Sequence, residues 1–319
     1  MRVTIGVFGL AGSGKSTLAL SFPNPHQHVI GSSEETTAEN FRREYPDLPL
    51  AHKWDAALTL TPQEQLVQRT VPMVVKRLVN GKMTEVELPF LEAELERLKL
   101  TQMSHARNVA NLWNYFRNLK ATLTEECAAR KVLYLEDRTE VLDNLTPFTR
   151  ELVDYVQLVR KASVFKKDGD LNPIAYGIEY RDDLTDFLDL FLSLPCHTVF
   201  TCHVGMAFSQ EQAAMTKFLD ENAPILKKEW HPSIRGQFKY DITAKPDYAI
   251  FLRTETQPGR PTRFLAKLEA DESHLGIGKP RIQPFEKPWE LTFPKNRFYE
   301  TFQAALTSYL TDGVPVRLP

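Results

Sequence analysis

Cysteine is scarce in this chain of 319 residues. Only Cys127, Cys196 and Cys202 occur, none in a CxxC spacing, and any pairing leaves one over. That excludes a disulfide scaffold and a cysteine-based zinc site, and it suits a reducing cytoplasm. Long apolar runs are lacking too: none approaches the ~18 residues that span a bilayer. The N-terminal stretch Val3–Leu10 runs into a glycine loop rather than a small-residue cleavage site, so it does not read as a secretory signal. The expectation is a protein that acts in the cytoplasm. Repeats and low-complexity tracts are absent, and neither charge dominates, with 39 Lys+Arg against 41 Asp+Glu. What is present is ordinary globular composition, 42% hydrophobic and 25% charged. That excludes disorder throughout. The length fits one large α/β domain with insertions, or two domains, and a chain of this size buries roughly three quarters of its unfolded surface.

The near-zero balance hides an asymmetry. Residues 225–281 carry eleven Lys/Arg and seven Asp/Glu, an excess of four positive charges, whereas 1–224 carry a net −6. An acidic body with a basic C-terminal third points to a polyanionic partner, or to a solvated surface that is simply basic.

Along the chain, apolar β-rich runs alternate with helical patterns. Val3–Phe8 reads as a strand, Ser16–Ser21 as the start of a helix ended by Pro23 and Pro25, and His28–Gly31 as a second strand. Glu34–Tyr45 is polar and helical at best. Leu88, Leu91, Leu95 and Leu98 recur at helical spacing, and Leu112, Phe116, Leu119 and Leu123 mark a helix over Val109–Ala128. Lys131–Leu135 reads as a strand, Leu184–Leu194 as a helix, and His197–Thr201, Tyr248–Leu252 and Phe264–Leu268 as further strands. Strands separated by helices predict an α/β fold, a mostly parallel central sheet flanked by helices. The expected organisation is a core of 1–45 and 106–281, a helical insertion at 46–105, and an extension at 282–319 with a terminal helix.

One motif carries chemistry. Gly9-Leu10-Ala11-Gly12-Ser13-Gly14-Lys15-Ser16 fits GxxxxGK[ST], the P-loop, between a strand and a helix. Its glycines let backbone N–H groups turn inward around a phosphate, and a side chain at Gly14 would obstruct that approach. Lys15 places a cation at the β- and γ-phosphates, and the Ser16 hydroxyl can ligate Mg²⁺. Gly9, Gly12, Ser13, Gly14, Lys15, Ser16 and Thr17 are therefore the candidate residues for binding ATP and Mg²⁺. The absence of an NKxD-like guanine-reading motif favours ATP over GTP.

A P-loop site also needs a carboxylate for the metal shell at the end of a hydrophobic strand. Val132-Leu133-Tyr134-Leu135-Glu136-Asp137 offers two, of which one faces the phosphates because neighbours on a strand point opposite ways. Register favours Glu136, with Asp137 next; both could instead be solvated strand-end carboxylates. Hydrolysis needs a water-positioning group. Glu34, beside Glu35 after the second strand, is the candidate, against the alternative of a solvated loop glutamate. His203 ends the strand at 197–201, where it could hydrogen-bond the γ-phosphate and report its loss, or simply cap the strand. The long stretch 204–246 interleaves Lys227, Lys228, Arg235 and Lys239 with Trp230, His231 and Tyr240. Cations that neutralise phosphates among aromatics that stack on bases suit a single-stranded DNA-binding loop. The other reading is a surface excursion with Trp230 packed into the core. Lys166-Lys167-Asp168-Gly169-Asp170 is a weaker second contact.

Taken together, GLAGSGKSTLALSFPNP, the LEDRTEV strand, DLFLSLPCHTVFTCH and YAIFLRTE resemble phage-encoded RecA-like P-loop ATPases, the AAA-labelled phage nucleotide-binding group that includes single-strand annealing recombinases. The resemblance covers roughly 1–35 and 106–281. It implies a RecA-like P-loop NTPase core, ATP hydrolysis, and action on single-stranded DNA in phage recombination or replication, by annealing or strand exchange. It also implies a homo-oligomer, filament or ring, working in the host cytoplasm, with a single-strand binding protein as a further partner. The family's strand-end Asp, usually followed by Ser, falls on Glu136 followed by Asp137, a departure from the pattern. The acidic residue after the second strand falls on Glu34 and the polar sensor on His203. Lys279 and Arg281 are the nearest match to the cations that reach a neighbour's ATP. Phe302-Gln303-Ala304-Ala305 fits a short FxxA docking pattern, but in a helix Phe302 reads rather as a packing residue. Three alternatives keep the same P-loop: a ring-forming motor or loader for another nucleic-acid partner, a scaffold that binds without turnover, and a small-molecule kinase. The last lacks its usual Arg-rich lid here.

Overall fold

The computed structural model describes residues 1–31, 46, 50–69, 74–79, 82–87, 90–160, 178–208, 228–234, 241–255, 263–267, 290–293 and 298–312. The chain opens with β1 (Thr4–Gly9), α1 (Lys15–Ala19), β2 (Pro25–Ile30) and β3 (His52–Trp54). Then come α2 (Pro62–Arg69), the hairpin β4 (Val74–Val79) and β5 (Lys82–Glu87), and α3 (Phe90–Arg130). β6 (Leu135–Asp143), α4 (Leu145–Val159), α5 (Tyr180–Leu192), β7 (Cys196–Phe208) and β8 (Lys228–Pro232) follow. β9 (Tyr248–Glu255), β10 (Arg263–Lys267), β11 (Glu290–Phe293) and α6 (Phe298–Asp312) complete it.

The sheet has the order β11-β10-β9-β1-β7-β6-β2-β3, with β8 added beside β7. From β9 to β3 every pairing is parallel; β10, β11 and β8 join antiparallel. A mostly parallel sheet with the P-loop strand in its middle and helices on both faces is the expected α/β class. β1 is buried at every position, which is why it reads as a continuous apolar run rather than an alternating one. Ile5 and Val7 face α1 and α6, packing with Leu18, Phe22, Phe298 and Phe302. Phe8 faces the opposite layer, edge-on to Phe200 at 5.8 Å. There α3, α4 and α5 press Leu112, Phe116, Phe148, Leu152, Phe187 and Phe191 onto the sheet. Each such side chain, fully buried, contributes about 1.5–3 kcal/mol, so this layer anchors the fold.

Two boundaries differ from the sequence expectation. The segment 46–105 is not purely helical: β3 extends the main sheet, β4 and β5 form a separate two-stranded sheet, and the helices expected near 88–98 and 109–128 are one helix of 41 residues. Nor does the sheet stop at 281, because β11 pairs with β10. The expected strand at 131–135 also shifts: Leu135 opens β6, the register slips between Leu135 and Thr139, and the strand runs on to Asp143.

Candidate functional site

β1 pairs in register with β7 and β9 so that Gly9 lies beside His203 and Leu252, which sets the P-loop at the carboxyl ends of the central strands. Gly9 must be glycine: a Cβ there would stand 2.4 Å from Ser13 Oγ and 2.7 Å from the Leu252 carbonyl oxygen. Gly12 and Gly14 have φ of 74° and 89°, the left-handed region, which lets the loop fold back before α1. The turn is closed by Ser13 N–H donating to the Leu10 carbonyl at 3.2 Å, and α1 begins with Leu18 N–H donating to Gly14 at 2.9 Å.

Lys15 is buried, 6% exposed, so its charge is held inside the loop. Its ammonium donates to the Leu10 carbonyl at 2.8 Å and lies 3.2 Å from His203 Nδ1. An ammonium can only donate, so Nδ1 is the acceptor of this contact. His203 is thus brought to the P-loop as expected from its place at the strand end. Among the described residues, Ser13 Oγ is buried without a hydrogen-bond partner, and a Cβ on Gly12 would meet nothing within 4 Å. An orphaned hydroxyl and open space beside a loop turned by two left-handed glycines fit an oxyanion such as a phosphate.

The strand-end carboxylate is Asp143, which the sequence reading missed. It closes β6, is 2% exposed, and accepts from Thr201 Oγ1 at 2.6 Å and from Gln27 Nε2 at 2.8 Å. Thr201 stands opposite Val7 on β1, so Asp143 is tied across β7 towards the P-loop strand. The next turn is braced at the same place. Asn144 Oδ1 accepts from Thr146 N–H at 2.9 Å, and Thr146 Oγ1 accepts from His203 N–H at 3.1 Å. Cys202, alongside, is no nucleophile: burial pushes its thiol up to about 11.

Glu136 and Asp137 correct the expected metal assignment. They lie at the amino-terminal end of β6, the end of the sheet away from the P-loop. Glu136 is exposed and accepts from the Met1 ammonium. Asp137 pairs with Arg130 at 3.0 Å, and that guanidinium holds its carboxyl below the usual range. Neither faces Ser16, which is half-buried in the first turn of α1 beside the buried Thr17. The signal that could have found Asp143 is local: Val141-Leu142-Asp143 is itself an apolar run ending in a carboxylate.

Glu34, Lys227, Arg235, Lys239, Lys279 and Arg281 lie outside the described residues, and Lys228 is placed only by its backbone pairing with Phe208. Trp230 is half-buried against the core, its ring 6.1 Å from Phe251, as the packing alternative holds. Phe302 is buried between Tyr248 and Phe298 rather than presented on the surface.

No family model matches the chain, and no curated protein matches it. Among solved structures, a KaiC-like protein from the hyperthermophilic archaeon Pyrococcus horikoshii OT3 aligns at 12% identity and a TM-score of 0.31, covering 92% of this chain and 90% of that one. A likeness that remote carries no functional argument. Among the described residues no helix is long and apolar enough to cross a membrane.

Proposed function

We propose that this chain binds and hydrolyses ATP at the P-loop and couples turnover to single-stranded DNA, in phage recombination or replication. The observation that carries the nucleotide half is the convergence of buried Lys15, strand-end Asp143 and His203 at the carboxyl ends of β1, β6 and β7. Inward amides of residues 10–16 position the phosphates, and Lys15 balances charge that grows on the γ-phosphoryl group in the transition state. Ser16 and Asp143 are the residues that would hold Mg²⁺, which when bound neutralises phosphate charge. Gln27 and Thr201 keep the Asp143 carboxylate oriented, since each donates to a different oxygen. Glu34 is assigned to orient the attacking water. His203, already in contact with Lys15, changes partner when the γ-phosphate leaves.

The DNA half rests on the basic C-terminal third and on the resemblance to phage RecA-like ATPases; a homo-oligomer is part of the same proposal. The test is phosphate release with and without single-stranded DNA. Lys15→Ala is expected to lower turnover at least about a hundredfold, the scale of losing one charged transition-state donor. Turnover in wild type with no response to DNA refutes the DNA half alone; no turnover and no nucleotide binding refutes both.

A further inference from the structure

Through Asn108, α3 reaches the nucleotide end of the sheet. Asn108 is 3% exposed, and its Nδ2 amide donates in two directions, to Glu151 Oε2 on α4 at 2.7 Å and to the Trp54 carbonyl at 3.3 Å. Trp54 closes β3, and its carbonyl also accepts from Gly31 N–H at 3.0 Å. Gly31 is the first residue beyond β2, with φ of 84°, and a Cβ there would stand 3.4 Å from Pro147 Cβ in the first turn of α4. The ends of β2 and β3, the side of α3 and the start of α4 therefore meet at one junction. Val29 pairs with Asp143, so the junction lies two residues past the level of the strand-end carboxylate. β2 also reaches that carboxylate directly, through Gln27.

Stability alone does not call for this arrangement. α3 is already seated by Val109, Leu112 and Phe116, all fully buried. A buried amide and carboxyl gain little over an apolar pair of similar size, because both must give up water. What an apolar pair cannot do is hold a carbonyl. An Asn amide nitrogen has two hydrogens; Glu151 takes one, and the other is aimed at Trp54. The Trp54 carbonyl in turn fixes the Gly31 amide, where the chain leaves β2. Both groups that the ATPase reading takes from this strand depend on its placement: Gln27 within β2, and Glu34 three residues beyond Gly31 in sequence.

We propose that Asn108 is a positioning residue for hydrolysis, holding the exit of β2 through the Trp54 carbonyl while Glu151 orients its amide. The proposal rests on the ATPase reading above. Asn108 acts through the backbone of β2 and β3, not on the P-loop, so its loss slows the chemical step and leaves nucleotide binding intact.

The test is steady-state ATP turnover of the full chain, with the melting temperature measured alongside. In the double variant Asn108→Leu/Glu151→Leu both partners become apolar, so neither is left buried and unpaired. It should melt close to wild type, yet kcat should fall about tenfold or more at unchanged KM for ATP, the scale of a displaced catalytic geometry. Glu151→Gln keeps an acceptor for the amide and should retain kcat within about twofold. Asn108→Ser has one donor for two acceptors and should show the same split between kcat and KM; it decides the question if the double variant does not fold. The proposal is overturned if kcat in folded Asn108→Ser equals wild type, if KM rises as kcat falls, or if kcat falls only in step with the folded fraction. Wild type without Lys15-dependent turnover overturns the ATPase reading and this proposal with it. Normal wild-type turnover with undiminished kcat in the variants overturns this proposal alone.

Discussion

Asp143 and Glu136 occupy opposite ends of one strand, and they separate what a residue's neighbours in sequence reveal from what its neighbours in space reveal. The P-loop was legible because its glycines and Lys15 act within a few residues of one another. The strand-end carboxylate Asp143, proposed above for the metal, was not, because a strand's end is defined by its partners. Glu136-Asp137-Arg138 resembles a terminus, yet the chain resumes pairing at Thr139 after a register shift. Its next charge is then buried rather than solvated. Burial opposes ionisation of Glu140, but hydrogen bonds from His28 and Arg138, at 2.7 and 2.8 Å, outweigh it and hold the carboxyl below its usual value. Paired charges of this kind mimic a loop in sequence. The corrected assignment makes a direct prediction. Asp143→Asn should reduce magnesium-dependent ATP turnover by at least about tenfold at unchanged fold, as expected for loss of one metal-shell charge. Glu136→Gln should leave it within about twofold. Circular dichroism checks the fold and phosphate release the rate; equal losses in the two variants would defeat the assignment.

The seam between α3 and α4 carries a titration that no periodicity shows. Glu151 is 6% exposed, and burial pushes its carboxyl up to about 7 despite a 2.7 Å hydrogen bond from Asn108. His105 and Asp154 flank it, with Asp55 facing it from beyond β3. For a carboxyl raised from 4.5 in the unfolded chain, stability is fully present below pH 4.5 and is lost as pH rises to about 7, at most about 3 kcal/mol. His105 acts in the same sense. Burial opposes its charge, but Asp154, 2.6 Å away, and Glu151 raise its value, so its contribution is present below pH 6.5 and fades above the raised value. The melting temperature of the wild type should therefore fall between pH 5 and 8, and Glu151→Gln should flatten most of that slope. A pH-independent wild type would contradict this. The sequence showed α3 as two stripes because its coverage changes along its length. The 3₁₀ turn at Ala56–Thr59 and α2 reach it at Ser104 and Arg107, α4 at Gln102, His105 and Asn108, and α5 at Trp113 and Phe116, so the covered face changes along the helix.

At the scale of the whole molecule, the central sheet and its helical layers were readable from alternating apolar runs, whereas the edges were not. β3 has three residues and β11 four, too short for a pattern, and both exist because a longer strand beside them offers unpaired N–H and C=O groups. The distribution of charge gives a further prediction. If Lys227, Lys228, Arg235 and Lys239 neutralise phosphates of single-stranded DNA, the logarithm of affinity should fall with the logarithm of salt at a slope of about −3. A slope near zero in fluorescence anisotropy would remove them from the interface. Helix α3 has a mechanical consequence of its own. By its rise per residue it is a rod of about 60 Å, seated on the core through Val109, Leu112 and Phe116 and leading at its far end to the hairpin β4–β5. Leu95, Leu98 and Met103 stand exposed along the arm beyond that seat. A tilt of about ten degrees at Asn108 would swing the first turn of the rod by about 5 Å, so side-chain repacking too slight to notice at the sheet would be magnified into a stroke at the hairpin.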